Sequence, residues 1–234
     1  MARRNRKKRR GWRWSTRLIV AAIAAIAISI FAILPLRWFD PPTSSFMLQD
    51  NSGRDPLLHR WVEWEELGPA PPLAAVASED QKFADHFGLD FDSILASIED
   101  RENGGRLRGA STISQQVAKN LFLWPGRNFI RKGLEAYLTV VVEACLPKRR
   151  ILEIYLNIAE FGPGIYGVGA ASDYYFNKVP ARLSDYEAAL LAAVLPSPNR
   201  LRVNEPSPYV RERQRWILEQ MRRLRREGWI TQLQ

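Results

Sequence analysis

The chain predicts a mainly α protein preceded by one transmembrane helix. An unbroken apolar run spans Leu18 to Leu34, with Ser29 as its only polar residue. A series of later segments carries apolar residues at helical spacing between clear stops, and period-two strand patterns are scarce.

Ahead of the apolar run, residues 1–17 hold nine Lys or Arg and no acid. Setting them aside leaves 25 basic against 25 acidic residues, so the net charge of +9 belongs to this tail. A neutral body argues against a nucleic-acid partner, which needs basic groups spread over a folded face. Seventeen helical residues reach about 26 Å, near the lower limit for crossing a bilayer. The run is longer than the roughly 7–15 residue core of a cleaved signal peptide, and it exits through Pro35, Leu36, Arg37, Trp38 and Phe39, an interfacial set. Residues 18–36 therefore read as a retained signal-anchor. The basic flank 1–17 is then cytoplasmic and the remainder lies across the membrane.

Residues 37–55, rich in Pro, Ser, Thr and Gly, read as a linker, and residues 56–234 as one helical domain. Helices are expected over Leu73–Ala84, Phe91–Arg101, Ser111–Phe122, Ile130–Leu146, Arg149–Ala159, Ser184–Leu195 and Pro208–Glu227. Stops fall at Gly88, Gly104, Pro125, Pro147, Gly162 and Pro196. The last helix groups Trp216, Ile217, Met221 and Leu224 on one face and most of its arginines on others. That pattern suits a helix docked on a core or lying at a lipid surface. The lone Cys145 excludes an internal disulfide and reads as a small core residue, and two His with one Cys give no zinc-like spacing.

The segment with most chemistry is GASTISQQVAKN, Gly109 to Asn120. Ser111, Gln115 and Lys119 recur at i, i+4 and i+8, with Gln116 beside them, so one helical face offers donors to an oxygen-rich anion. Ser111 or Thr112 also suits an N-cap. In SEDQKFADHFG, Ser78 to Gly88, Glu79 follows the apolar turn Leu73–Ala77, and Val76, Phe83 and Phe87 are expected around it. Apolar surroundings disfavour the charged carboxylate and raise its basicity, as a general base for a sugar hydroxyl requires. His86 is the rival base, although a lone His there fits a structural hydrogen bond better. In RNFIRKGLE, Arg127, Arg131 and Lys132 add cations, with Glu135 at i+4 from Arg131. In Lys148–Lys178 an amphipathic helix turns Ile151, Leu152, Tyr155 and Leu156 inward. Gly162, Gly164, Gly167 and Gly169 then force a tight, closely packed turn that reads as scaffold.

In order, these segments resemble the motifs of family 51 glycosyltransferases, which polymerise peptidoglycan glycan strands from lipid II. SEDQKFADHFG is similar to E-D-x-x-F-x-x-H-x-G, and GASTISQQVAKN to G-x-S-T-I-T-Q-Q-x-x-K-N with Ser114 in place of Thr. RKGLE is similar to R-K-x-x-E, and KRRILEIYLN to K-x-x-I-L-E-x-Y-L-N. The match runs from about Leu73 to Pro198. No S-x-x-K or K-T-G element follows, so the resemblance is to members without a penicillin-binding module. It implies a lysozyme-like helical lobe with a smaller membrane-proximal jaw. It puts the catalytic base on Glu79, a second catalytic glutamate on Glu135, and binding of the donor diphosphate on Ser111, Gln115, Gln116, Lys119 and Arg127. A leaving diphosphate needs no adjacent acid, so Lys119 and Arg127 are expected nearer Glu135 than Glu79.

The resemblance requires no cofactor and no dedicated metal site, leaving room for a divalent cation, Mg or Mn, with the diphosphate. The partners it implies are lipid II, the lipid-linked glycan chain, the membrane and the division or elongation machinery. The location it implies is the bacterial inner membrane, with the catalytic domain periplasmic. A strand-cleaving muramidase would share such a cleft but has no use for Lys119 and Arg127. A non-catalytic envelope scaffold has no use for the STISQQ string.

Overall fold

The computed structural model describes residues 2–92, 111–126 and 128–229, with side chains from residue 16 onward. The helix expected at Phe91–Arg101 lies, beyond Asp92, outside the described residues, as do the glycine-broken loop before Ser111 and Arg127. Helix α1 runs unbroken over Ala2–Ile33 and ends where Pro35 opens a 3-10 turn, Leu34–Arg37. The stretch Thr16–Arg37 is long and apolar enough to cross a membrane. Leu18, Ile19, Ile28 and Phe31 are exposed along it, whereas Ile33 is buried in the core.

The segment whose composition suggests a linker is packed against the domain. Arg150 donates from Nε to the Leu36 carbonyl (2.8 Å) and from Nη2 to the Phe39 carbonyl (3.0 Å) and the Asp40 carboxylate (2.7 Å). A one-turn helix, α2 (Ser45–Leu48), is capped by the fully buried Ser44. The Tyr166 hydroxyl then donates to Asp50 at 2.8 Å. Ser and Asp mark loops because they bond locally, and the same groups let a loop dock.

After the one-turn α3 (Trp64–Leu67), the domain centres on α4 (Ala70–Glu79). Pro71 and Pro72 sit in its first turn, where proline costs no helical hydrogen bond. Residues 70–77 are all buried, as befits a helix apolar on every side. The expected extension to Ala84 does not form. Asp80 leaves helical geometry (φ −161°, ψ 76°), and its carboxylate accepts from the Ile113 backbone amide (3.0 Å) and bonds His86 Nε2 (2.9 Å). Aspartate prefers such non-helical bonds to a helix interior. Phe87 therefore loses its helical phase with Glu79 and is exposed, while Val76 and Phe83 are fully buried.

Helix α5 (Ile113–Phe122) starts at a capping box between Thr112 and Gln115. Helix α6 (Phe129–Cys145) is capped by Asn128, whose Oδ1 accepts from the Arg131 amide, and α7 (Lys148–Ile158) follows Pro147. Helix α5 packs on both α6 and α7, and α6 also carries α1. Helices α9 (Asp185–Val194) and α10 (Pro208–Arg226) enclose α4 from the other side. The buried stripe of α10 runs Val210, Gln214, Ile217, Met221, Leu224. Trp216, expected on it, lies one residue and about 100° away and is 40% exposed.

Like α2, a short sheet and the helix that follows it have no counterpart in the helical reading. The three-strand sheet, ordered β1 (Leu58–His59), β3 (Ile165–Tyr166), β2 (Glu160–Gly162), has strands too short to show alternation. Helix α8 (Gly167–Phe176) begins inside the glycine-rich stretch that reads as a turn. Gly167 has φ +80°, and a Cβ there would meet the Asn157 carbonyl oxygen at 2.7 Å. The glycines thus let α8 start directly against α7.

Asn157 on α7, fully buried, accepts from the Val62 amide (2.8 Å) and donates to the carbonyls of Val62 (2.9 Å) and Glu153 (3.0 Å). Asn157→Ala should destabilise the protein by about 3 kcal/mol, because buried backbone groups are left unpaired. Denaturant unfolding of the full chain would measure it, and a loss below ~1 kcal/mol would show that this clamp is dispensable.

Candidate active site

Glu79 is the last residue of α4, so its side chain leaves the apolar core at the helix end, 13% exposed. Three groups hold the carboxylate. Arg213 donates from Nη2 to Oε1 (3.0 Å), Gln116 from Nε2 to Oε2 (3.0 Å), and the Ser78 hydroxyl to Oε1 (3.4 Å). The buried Tyr155 hydroxyl donates to Gln116 Oε1 (3.3 Å), which turns the amide donor toward Glu79. Burial pushes the Glu79 carboxyl above the usual range; Arg213 pulls it back most strongly, then Gln116 and Ser78, with Lys119 adding a smaller pull. The balance is a carboxylate more basic than one in water.

Sequence reasoning missed Arg213. The signal was present, since it lies three residues after Val210 and four before Ile217, a charge within the apolar stripe of α10. Its Nη2 also reaches the Ser78 carbonyl (3.3 Å).

Glu135 occupies a different environment. It is 2% exposed; Oε2 accepts from Arg131 Nη1 (2.8 Å) and Oε1 from Lys132 Nζ (2.5 Å). Lys132 reaches on to Ser111 Oγ (3.2 Å), which brings the start of the α5 segment to this cluster. Lys119 lies one turn beyond Gln116. Burial depresses its ammonium; Glu135 opposes that most, Arg131 and Lys132 reinforce it, and Glu79 opposes it more weakly. Lys119 thus feels Glu135 more than Glu79. Among described lysine side chains, Lys82, Lys132, Lys148 and Lys178 each pair with a carboxylate, and Lys119 pairs with none.

The expected ladder is only partly a cleft face. Gln115 is 3% exposed and its Oε1 accepts from the Thr112 amide (3.0 Å), so it completes the cap. Ser114 is fully buried and donates to Glu143 (2.5 Å), which Lys148 also contacts (2.7 Å). Lys148 donates further to the His86 carbonyl (2.6 Å), and Thr112 to the Gly88 carbonyl (2.6 Å). His86 acts as a structural hydrogen-bonder to Asp80. Arg127 lies outside the described residues. No group of three or more His, Cys, Asp and Glu suited to a metal ion occurs among the described residues.

The two glutamates should respond unequally to neutralisation. Glu135→Gln strips two cations of their partner and should cost about 3 kcal/mol. Glu79→Gln replaces a carboxylate whose charge burial disfavours, and should cost less than about 1 kcal/mol. Thermal unfolding of both variants checks this, and equal losses would contradict the assignment of a buried ion cluster to Glu135 alone.

A family model described as Transglycosylase matches residues 49–222. The chain is similar to a biosynthetic peptidoglycan transglycosylase of Shewanella frigidimarina, 56% identical over 188 residues that cover 80% of this chain and 82% of that one. It is 47% identical over 220 residues to one of Xylella fastidiosa, covering 91% and 90%. It is 44% identical over 236 residues to one of Xanthomonas campestris pv. campestris, covering 98% and 95%. The matched span contains Glu79, Gln116, Lys119, Glu135 and Arg213, and on that match the chain belongs to the transglycosylase family.

Proposed function

We propose that the chain is a peptidoglycan glycosyltransferase that joins lipid II units into β-1,4-linked glycan strands and releases undecaprenyl diphosphate, with Glu79 as its general base. The observation that carries this reading is geometric: Gln116 of α5 bonds the Glu79 carboxylate at the end of α4, and Lys119 follows one turn farther along α5, in no ion pair among the described residues. The 4-hydroxyl oxygen of the acceptor GlcNAc attacks C1 of the donor MurNAc while Glu79 takes its proton. The C1–O bond breaks, its electron pair leaves with the diphosphate oxygen, and the α-linked donor inverts to a β bond.

Lys119 stabilises the charge that grows on the leaving oxygen, as a fixed cation in a partly dry site does best. Arg127 is proposed as a second cation there. Ser111, held by Lys132, offers a hydroxyl, Gln116 orients the base, and Gln115 acts through the helix cap. Glu135 fixes Arg131 and Lys132 near the donor. No group of three or more His, Cys, Asp and Glu among the described residues could hold a Mg or Mn ion, and no step is routed through one. Strand cleavage, whose leaving group is a sugar oxygen and not a diphosphate, would have no use for a cation at Lys119.

The apolar N-terminal helix is consistent with a membrane anchor. We place the basic tail on the cytoplasmic side and the catalytic domain on the periplasmic side of the bacterial inner membrane. Phe129 and Ile130 support a membrane-proximal jaw, since they are 97% and 76% exposed at the start of α6, the helix on which α1 packs. Partners in the division or elongation machinery are part of this proposal through the family alone.

Glu79→Gln should lower polymerisation of labelled lipid II by at least about 100-fold while the protein remains folded and membrane-inserted. Activity within about tenfold of wild type, a barrier change of ~1.4 kcal/mol, would remove Glu79 from the role of base. The pH profile tests Arg213 separately. The base works deprotonated, so activity rises as pH climbs through the raised Glu79 pKa. Arg213 holds that value down, so Arg213→Met should move the acid limb of kcat/KM to higher pH. A limb that stays put or moves lower would sever Arg213 from the base.

A further inference from the structure

Among the described residues Lys119 has no carboxylate partner, but it does have an aromatic one. Its ammonium lies over the ring of Phe46, 5.2 Å from the centroid. Phe46 stands in none of the segments that resemble family motifs and precedes the matched span 49–222. It comes from α2, in the stretch whose composition suggests a free spacer.

The surroundings leave Phe46 little freedom. Ser44 is fully buried, and its hydroxyl accepts from the Met47 amide (3.1 Å), which sets the turn. Met47, 8% exposed, belongs to the hydrophobic core. Upstream, Arg150 holds the carbonyls of Leu36 and Phe39 and the Asp40 carboxylate. Downstream, Tyr166 holds Asp50. The ring is thus presented to α5 from a backbone attached on both sides.

We infer that Phe46 is a positioning residue for the leaving-group site, whose ring face holds the Lys119 ammonium where the donor diphosphate will lie. This rests on the assignment of Lys119 to the donor end. A carboxylate could hold the lysine equally well, but its charge would cancel the field meant for the diphosphate and repel the substrate. An aromatic face attracts the cation through its quadrupole and carries no net charge. It covers one side of the ammonium from water and leaves the remaining N–H donors free. Because the charge that Lys119 meets grows as the C1–O bond breaks, losing the ring should act on kcat more than on KM.

The test uses the full-length protein in lipid vesicles with labelled lipid II, comparing Phe46→Leu, Phe46→Tyr, Lys119→Met and the Leu/Met double variant. Phe46→Leu should lower kcat by about tenfold, within the range of a desolvated cation–π contact, with KM changed less than about twofold. Phe46→Tyr, which keeps the ring, should stay within about twofold of wild type. Lys119→Met should reduce kcat by about 100-fold, and adding Phe46→Leu should cost nothing further, because the ring then has no cation to hold. Full activity of Lys119→Met would overturn the donor-site assignment itself. With Lys119→Met inactive, three results would overturn the inference alone: Phe46→Leu at the wild-type rate, Phe46→Tyr as impaired as Leu, or an undiminished Leu defect in the double variant. Were Phe46→Leu to unfold, the Phe46→Tyr rate and single-turnover kcat of Phe46→Met would decide between the same outcomes.

Discussion

One buried carboxylate sets the geometry of this site. Asp80 ends α4 immediately after Glu79, accepts the first amide of α5 from Ile113, and binds the ring of His86. A negative charge is favoured at a helix N-terminus, so the bond also suits the α5 dipole. Its consequence is register. With α4 stopped at Glu79 and α5 started at Ile113, Gln116 falls within reach of Glu79, and Lys119 comes one turn later on the same helix. Ser114, Glu143 and Lys148 lock α5 to α6 and α7 around the same junction.

The charges fall into two unlike groups. At one end Glu79 is opposed by a single arginine, and burial still leaves it more basic than a carboxylate in water. At the other end a buried carboxylate, Glu135, is shared by Arg131 and Lys132, while Lys119 nearby is in no ion pair among the described residues. One end can take a proton and the other can receive negative charge. An inverting transfer with an anionic leaving group needs that separation, because proton uptake and charge departure occur on opposite faces of the sugar carbon.

The attachment between the apolar N-terminal helix and the domain gives this polarity a fixed setting. Ile33 is buried in the domain core, the Tyr137 hydroxyl donates to Ser29 at 3.0 Å, and Arg150 grips the chain just past the helix. Tyr137 lies two residues after Glu135 on α6, so the apolar helix and the cationic cluster share one rigid element.

The sequence by itself determined the helical class, the apolar N-terminal span, most helix bounds to within a residue or two, and the family. These signals are local: apolar periodicity, an N-cap at Ser111 or Thr112, prolines past helix ends, and motif strings. It also singled out Glu79, Gln116, Lys119 and Glu135 by residue type and order. Tertiary structure decided what each of these touches. It turned Gln115 into a cap and Ser114 into a core anchor, because helical spacing states a face and not what covers it. It stopped α4 at Asp80, since a long-range bond to Ile113 outweighed the helical period. It brought Arg213 to Glu79 from 134 residues away and Phe46 to Lys119 from a stretch that composition describes as loop. Contacts between residues far apart in the chain leave no periodic trace in it, and in this protein such contacts bring Arg213 to the Glu79 carboxylate and the Phe46 ring to the Lys119 ammonium.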